Sequence, residues 1–213
     1  MSTTISHRPR ASDRVLLWIA TSVTLVLGAA LAPIETASAA APECAAVQPG
    51  GPVQVTADCV DPLYSHPVID NEVDLTQPVV HRKVSGHFEG TEIRFNIYLP
   101  PANQWKGRFF QYTYPLTDEN ATDRAIGFGS ASGGYTVQAG SSGTSLGYRH
   151  AAAAAKFAKT VAAAYYGSGH RRIYGYLYGP SGGSFQTVGA MENTTGVWQG
   201  FVPMVIGTPM SVR

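Results

Sequence analysis

The sequence predicts an α/β fold: a mostly parallel sheet with an N-terminal antiparallel hairpin and helices on both faces. Three observations predict it. Val84 to Leu99 alternates apolar and polar residues around Glu89-Gly90, the pattern of a β-hairpin. Beyond Tyr114 the pattern changes, and strand-like runs alternate with helix-like ones. Finally, Ile173 to Met204 reads as strand, Gly-Pro-Ser-Gly-Gly corner, helix and strand, with Ser181 at the tip of the corner.

Residues 1–39 are expected to be a secretory leader outside the fold. Arg8, Arg10 and Arg14 form a positive start, Val15 to Ala32 is almost wholly apolar, and Ala37-Ser38-Ala39 is a small-residue cleavage site. With no Arg-Arg pair, the general secretory route fits better than the twin-arginine one. An uncleaved membrane anchor is the competing reading, since the apolar run approaches bilayer-spanning length. Pro33 and the small residues after it favour cleavage, which predicts a secreted, extracellular chain with no stable membrane anchor.

The leader holds three arginines and two acids of the chain's 15 basic and 14 acidic residues, so twelve of each remain beyond it. A balanced charge excludes the basic footprint of a nucleic-acid binder and the basic amphipathic helix of a membrane-surface protein.

From residue 40 to 78 the chain is rich in Pro, Gly, Ala and Asp, and reads as a mostly irregular lead-in. Its two cysteines, Cys44 and Cys59, are expected to pair in an oxidising compartment. A metal site there would need further ligands, and only His66 is near in sequence.

The main folded domain is expected to run from residue 79 to 213. The hairpin places Ile93, Phe95, Ile97 and Leu99 on one face and ends at Pro100-Pro101. Gly107 to Tyr114 supplies a third strand, Pro115 to Thr122 a polar loop, and Asp123 to Gly134 a short glycine-rich helix or loop. Tyr135 to Ala139 is a strand. Tyr148 to Tyr166 is the strongest helix: five consecutive alanines have maximal helix propensity, and Phe157, Val161 and Tyr165 form a stripe. Lys156 and Lys159 are expected on its wet side, with Gly167 as the stop.

Chemistry concentrates at the glycine corner. A serine hydroxyl needs a base to take its proton, and its tetrahedral intermediate needs N–H donors aimed at the oxyanion. Ser181, between strand and helix, is the candidate nucleophile, and Gly182 the first oxyanion donor. Gly179 and Gly183 remove side chains that would collide across so tight a turn. The second donor would come from the loop after the third strand, Tyr114 to Leu116; Pro115 has no N–H, so Tyr114 or Leu116 would serve. Ser145, in a second Gly-x-Ser-x-Gly match, is set off from its strand by Gly140 to Gly143 and is the weaker candidate. Ser184 reads as an early helix residue.

From Val84 onward the chain resembles the α/β-hydrolase fold. The segments YYG, YGYLYGPSGG and GFVPMVIGTP are similar to the secreted tannase and feruloyl esterase group. That resemblance implies ester hydrolysis on a small-molecule or polymer-linked ester, with Ser181 as nucleophile and no cofactor. Two features depart from the group: Pro180 stands where it usually has cysteine, and there is no room for its calcium-bearing lid.

The triad order in this fold is serine, acid, histidine. After Ser181 the sequence has one acid, Glu192, and no histidine. His150 could reach the correct rim of the sheet, whereas His170 would lie at the wrong end; His66, His81 and His87 read as surface or structural residues. The expectation is a hydrolase chain truncated before its acid and histidine, leaving Gly200 to Ile206 as an apolar edge strand. A non-catalytic secreted binding module on the same scaffold is the alternative. A nucleotide-binding reading of the corner fails for want of a P-loop lysine or a dinucleotide spacing.

Overall fold

The computed structural model describes residues 40–140, 147–169 and 171–206. The expected leader, Ser145 with its loop, and His170 lie outside the described residues. In chain order the elements are β1 (Ala45–Ala46), β2 (Val53–Thr56), a 3-10 turn (Pro62–Tyr64), β3 (Pro67–Leu75), β4 (His81–Phe88), β5 (Arg94–Leu99) and β6 (Arg108–Tyr112). There follow α1 (Asp123–Ala131), β7 (Gly134–Ala139), α2 (Tyr148–Tyr166), β8 (Tyr174–Pro180), α3 (Gly182–Asn193), β9 (Thr194–Thr195) and β10 (Gly200–Met204).

Seven strands form one sheet in the order β10-β8-β6-β7-β5-β4-β3. Three neighbouring pairs are parallel and three antiparallel, which corrects the expectation of a mostly parallel sheet. The difference comes from β3, inside the lead-in that was expected to be irregular. Its acids recur at every second position and meet cations across the strand: Asp74 and Glu72 reach Arg82 at 3.1 and 3.5 Å, and Asp70 reaches His87 at 2.8 Å. These charges also guard an outermost strand against pairing with another chain.

The hairpin forms as expected, turning at Gly90 with φ 75°, and Ile93, Phe95, Ile97 and Leu99 are all buried. Burying each such side chain contributes about 2 kcal/mol.

Side chains along β6 show that helices cover both faces. Gln111 donates to the Ala151 carbonyl of α2 at 3.0 Å and accepts from the Trp198 indole at 3.1 Å. Its neighbour Phe110 points the other way, meeting Phe128 of α1 and stacking on Tyr176. On the α2 face the core is Phe95, Ile97, Phe109, Val137 and Leu177.

Helix α2 has the expected limits, with Gly167 left-handed at φ 59° after its end. Its buried face, however, is the alanine stripe Ala151, Ala154, Ala155, Ala158 and Ala162, while Tyr165 is exposed. Small side chains let the helix lie close to the sheet, so the larger residues are pushed to its flanks. The two lysines are not on a wet side either. Lys159 donates to the Val197 carbonyl at 2.6 Å, and Lys156 to the carbonyls of Thr56, at 2.7 Å, and Cys59. Each long apolar stem covers the surface while its ammonium finds backbone acceptors.

These contacts help to dock the N-terminal segment. Cys44 and Cys59 are disulfide-bonded, closing a loop of 15 residues; loop-closure entropy makes such a bond worth about 3 kcal/mol. Strand β2 pairs with β1 and, in parallel, with β9. The Tyr148 hydroxyl holds the Val53 carbonyl at 2.5 Å, and Arg149 grips buried Asp61 through two nitrogens. No helix among the described residues is long and apolar enough to cross a membrane.

Candidate active site

Strand β8 ends at Pro180, Ser181 makes the turn, and α3 starts at Gly182. Ser181 sits at φ 51° and ψ −118°, a region that L-residues with a side chain rarely enter, costing about 1–3 kcal/mol. The neighbours that hold it there can be named. Its N–H donates to the Met204 carbonyl of β10 at 3.0 Å, and its carbonyl accepts from the Ser184 N–H at 2.9 Å and the Ser184 hydroxyl at 2.6 Å. Ser184 is thus a buried clamp on the corner, in the first turn of the helix. Ser181 itself is exposed, and among the described residues its hydroxyl has no hydrogen-bond partner.

The corner is built against the loop after β6. A Cβ at Gly179 would lie 2.3 Å from the Thr113 carbonyl oxygen, and one at Gly183 only 2.1 Å from it. The glycines expected to relieve the turn therefore also admit a neighbouring backbone. A Cβ on Gly182 would meet the Pro115 ring at 2.9 Å. The structure thus brings together Gly182 and the Tyr114 to Leu116 loop, the two sides expected to supply oxyanion donors. Gly182 opens α3, where the first N–H groups lack helical acceptors and the helix dipole favours negative charge.

Strain gathers at this rim. Among the described residues, three non-glycine residues have positive φ: Leu116 at 63°, Ser181 at 51° and Val205 at 48°. They follow β6, β8 and β10, which lie side by side, so all three sit at the carboxyl end of the parallel strands. Beside them, on the α1 side of the sheet, opens a cleft of about 980 Å³ whose lining includes Tyr112, Leu116, Phe128, Tyr176, Tyr178 and Met204. Burial raises the phenol pKa values of Tyr112 and Tyr178, so both remain protonated at neutral pH.

The histidines are placed elsewhere. His87 and Asp70 form a histidine–carboxylate pair at 2.8 Å, but on β4 and β3. Four strand spacings separate β8 from β4, about 19 Å at about 4.8 Å each. His81 is buried, with Nδ1 against the Val79 carbonyl at 2.7 Å. Glu192 is exposed near the end of α3. His150 is buried in the first turn of α2, edge-on to Tyr64.

Burial lowers the pKa of His150 from 6.5 to about 4. The imidazole is therefore neutral in the folded chain at pH 5 to 6, while the unfolded chain binds a proton there. Stability from this group is fully present above pH 6.5 and is lost as pH falls toward 4, by about 3 kcal/mol in total. Urea unfolding of wild type and His150→Phe at pH 7 and pH 4.5 checks this. The variant is expected to lose less stability between the two; equal losses would remove His150 as the cause.

Two features at the rim escape sequence reasoning: the contact of Thr113 with Gly179 and Gly183, and the buried hydrogen bond from the Thr113 hydroxyl to the Gln186 side-chain oxygen. Both join positions about 70 residues apart, and only the β6–β8 pairing makes them neighbours.

No protein-family model matches the chain, and no curated protein matches it. Among solved structures, tannin acyl hydrolase from Aspergillus niger is similar over 65% of this chain and 31% of its own, at 14% identity and TM-score 0.46. An esterase from Aspergillus oryzae is similar over 59% of this chain and 32% of its own, at 18% identity and TM-score 0.39. The chain thus spans just under a third of the length of each.

Proposed function

We propose that Ser181 is the nucleophile of a secreted serine hydrolase acting on carboxylic esters, with Gly182 and either Tyr114 or Leu116 as oxyanion donors. The observation that carries this reading is the strained, exposed serine between a parallel strand and a helix N-terminus, held by Met204 and Ser184. A structural turn gains nothing from a side chain at φ 51°, where glycine is free of strain; a nucleophile gains exposure and alignment from it. In the reaction, the Ser181 oxygen would attack the ester carbonyl carbon. The hydroxyl proton would pass to water, and the carbonyl electron pair would move onto its oxygen, where the N–H groups of Gly182 and the Tyr114 to Leu116 loop would stabilise it. Collapse of the adduct would break the carbon–alkoxy bond, releasing the alcohol and leaving acyl-Ser181. The aromatic cleft beside Leu116 would hold one side of a small-molecule or polymer-linked ester. The disulfide fits an extracellular location.

No histidine among the described residues hydrogen-bonds Ser181, so we expect acylation by this chain to be slow. Incubation with excess fluorophosphonate should label one residue per chain, Ser181, over hours, and Ser181→Ala should abolish it. Labelling that survives Ser181→Ala, or a folded wild-type chain that never labels, would favour the non-catalytic binding module.

A further inference from the structure

Every polar group of the Thr113 backbone and side chain is engaged by the glycine corner or the strand and helix that flank it. Its N–H donates to the Tyr178 carbonyl at 3.0 Å, its carbonyl oxygen is wedged where the Cβ atoms of Gly179 and Gly183 would be, and its hydroxyl donates to the Gln186 side chain. Gln186 lies on α3, five residues after Ser181, and is 8% exposed; Thr113 is 5% exposed. The chain continues from Thr113 directly into Tyr114, Pro115 and Leu116. One buried side-chain pair therefore links the helix that begins at Gly182 to the loop that holds the other candidate oxyanion donor.

The second atom of that amide is unusual. Gln186 Nε2 is buried and has no hydrogen-bond partner among the described residues. Turning the amide over would exchange the two atoms at Thr113 and still leave one unpaired. An unsatisfied buried amide costs about 1–3 kcal/mol. A core position filled only for packing would be served better by leucine or methionine, which have no such group. The glutamine therefore stands there at a cost, and among the described residues the one hydrogen bond of its side chain is to the residue before the oxyanion loop.

Resting on Ser181 as the nucleophile, we infer that Gln186 is a positioning residue: through Thr113 it fixes the Tyr114 to Leu116 loop against Gly182, so that both oxyanion donors converge on one point. It does not touch the substrate. Its effect is confined to reactions that pass through an oxyanion.

This gives a test that needs no catalytic histidine. In Ser181→Cys, the new thiol is the only free one, because Cys44 and Cys59 are paired. Its thiolate can be acylated by p-nitrophenyl acetate: the sulfur attacks the carbonyl carbon, an oxyanion forms, and p-nitrophenolate leaves as the thioester remains. It can also be alkylated by iodoacetamide, in which sulfur displaces iodide at a saturated carbon and no oxyanion arises. The ratio of the two rates reads the oxyanion site alone and cancels thiolate fraction and access.

Adding Gln186→Leu, or separately Thr113→Val, is expected to lower this ratio by about tenfold or more while alkylation stays the same. Phe185→Ala, an exposed neighbour on the same helix, should leave the ratio unchanged. A ratio unmoved by both substitutions, or two rates that fall together, overturns the positioning role. The failure of the underlying reading looks different: the Ser181→Cys thiol would then show a ratio no higher than that of free cysteine.

Discussion

Replacing Gly183 with alanine is expected to destabilise the chain by about 3 kcal/mol or more, the upper range for forcing an extra methyl into a closed site. The new Cβ would fall 2.1 Å from the Thr113 carbonyl oxygen and 3.1 Å from its carbon. Both are backbone atoms. A flexible side chain could swing aside, but Thr113 is pinned by its N–H to Tyr178 and its hydroxyl to Gln186, so relief requires β6 and α3 to part. Gly189→Ala, on the same helix, is the control. Its Cβ would come no closer than 3.7 Å to Tyr148, and the higher helix propensity of alanine should make it neutral or stabilising by up to about 1 kcal/mol. Urea unfolding separates the two: the midpoint should fall sharply for Gly183→Ala and hold or rise for Gly189→Ala. A Gly183→Ala midpoint equal to wild type would mean that the corner and the Thr113 loop are not packed as described.

The same clash explains why the corner is legible in the sequence while its partner is not. Gly179, Ser181 and Gly183 lie within five residues, and a β-branched and aromatic run leads straight into them. The local chain therefore specifies strand, turn and helix by itself. Thr113 carries no such signal; it is one threonine at the end of a strand. Its importance arises only when β6 and β8 pair in the register Tyr112 with Tyr178.

A similar division runs through the rest of the fold. The hairpin was legible because Ile93, Phe95, Ile97 and Leu99 alternate with more polar residues, although Asn96 and Tyr98 on the opposite face are buried too. Strand β3 was hidden because it is an outer strand, with Val68, Ile69, Val73 and Leu75 all partly exposed and a register shift between Ile69 and Asn71. Its usable signal was electrostatic, the period-two acids Asp70, Glu72 and Asp74. The length of α2 could be read from alanine propensity, yet its buried face could not. Phe157, Val161 and Tyr165 form the more hydrophobic stripe, but the smallest residues win the contact because the sheet is close.

The histidine question turns on sheet geometry. A histidine–carboxylate pair does exist, and β4 runs in the same direction as β8, so its carboxyl end shares the rim with Ser181. The sheet order, with β6, β7 and β5 between them, keeps His87 from a role at that serine. Proximity in direction is not proximity across the sheet.

Removing the Arg149 side chain should release the N-terminal segment from α2. Asp61 is 5% exposed, and its carboxylate is held by Arg149 Nε at 2.7 Å and Nη2 at 2.5 Å, with one further bond from the Leu63 N–H at 3.1 Å. Such a pair contributes little by existing, since the cost of burying the carboxylate offsets most of its attraction to the partly exposed guanidinium. Breaking it is another matter: Arg149→Ala leaves a buried carboxylate with one backbone donor, and the expected cost is about 3–5 kcal/mol. The double variant Arg149→Met with Asp61→Asn removes both charges, keeps much of the volume and retains an oxygen for Leu63, so it should cost clearly less than the single change. That ordering distinguishes an uncompensated charge from simple loss of packing. Because Tyr148, beside Arg149 in the first turn, and Lys156, about two turns on, bind the same segment, the first consequence should be local. Hydrogen exchange should rise over residues 53–64 before the sheet is affected. If Arg149→Ala is no less stable than the double variant, or exchange rises uniformly through β6 and β8, the pair is not what holds the N-terminal segment to the helix.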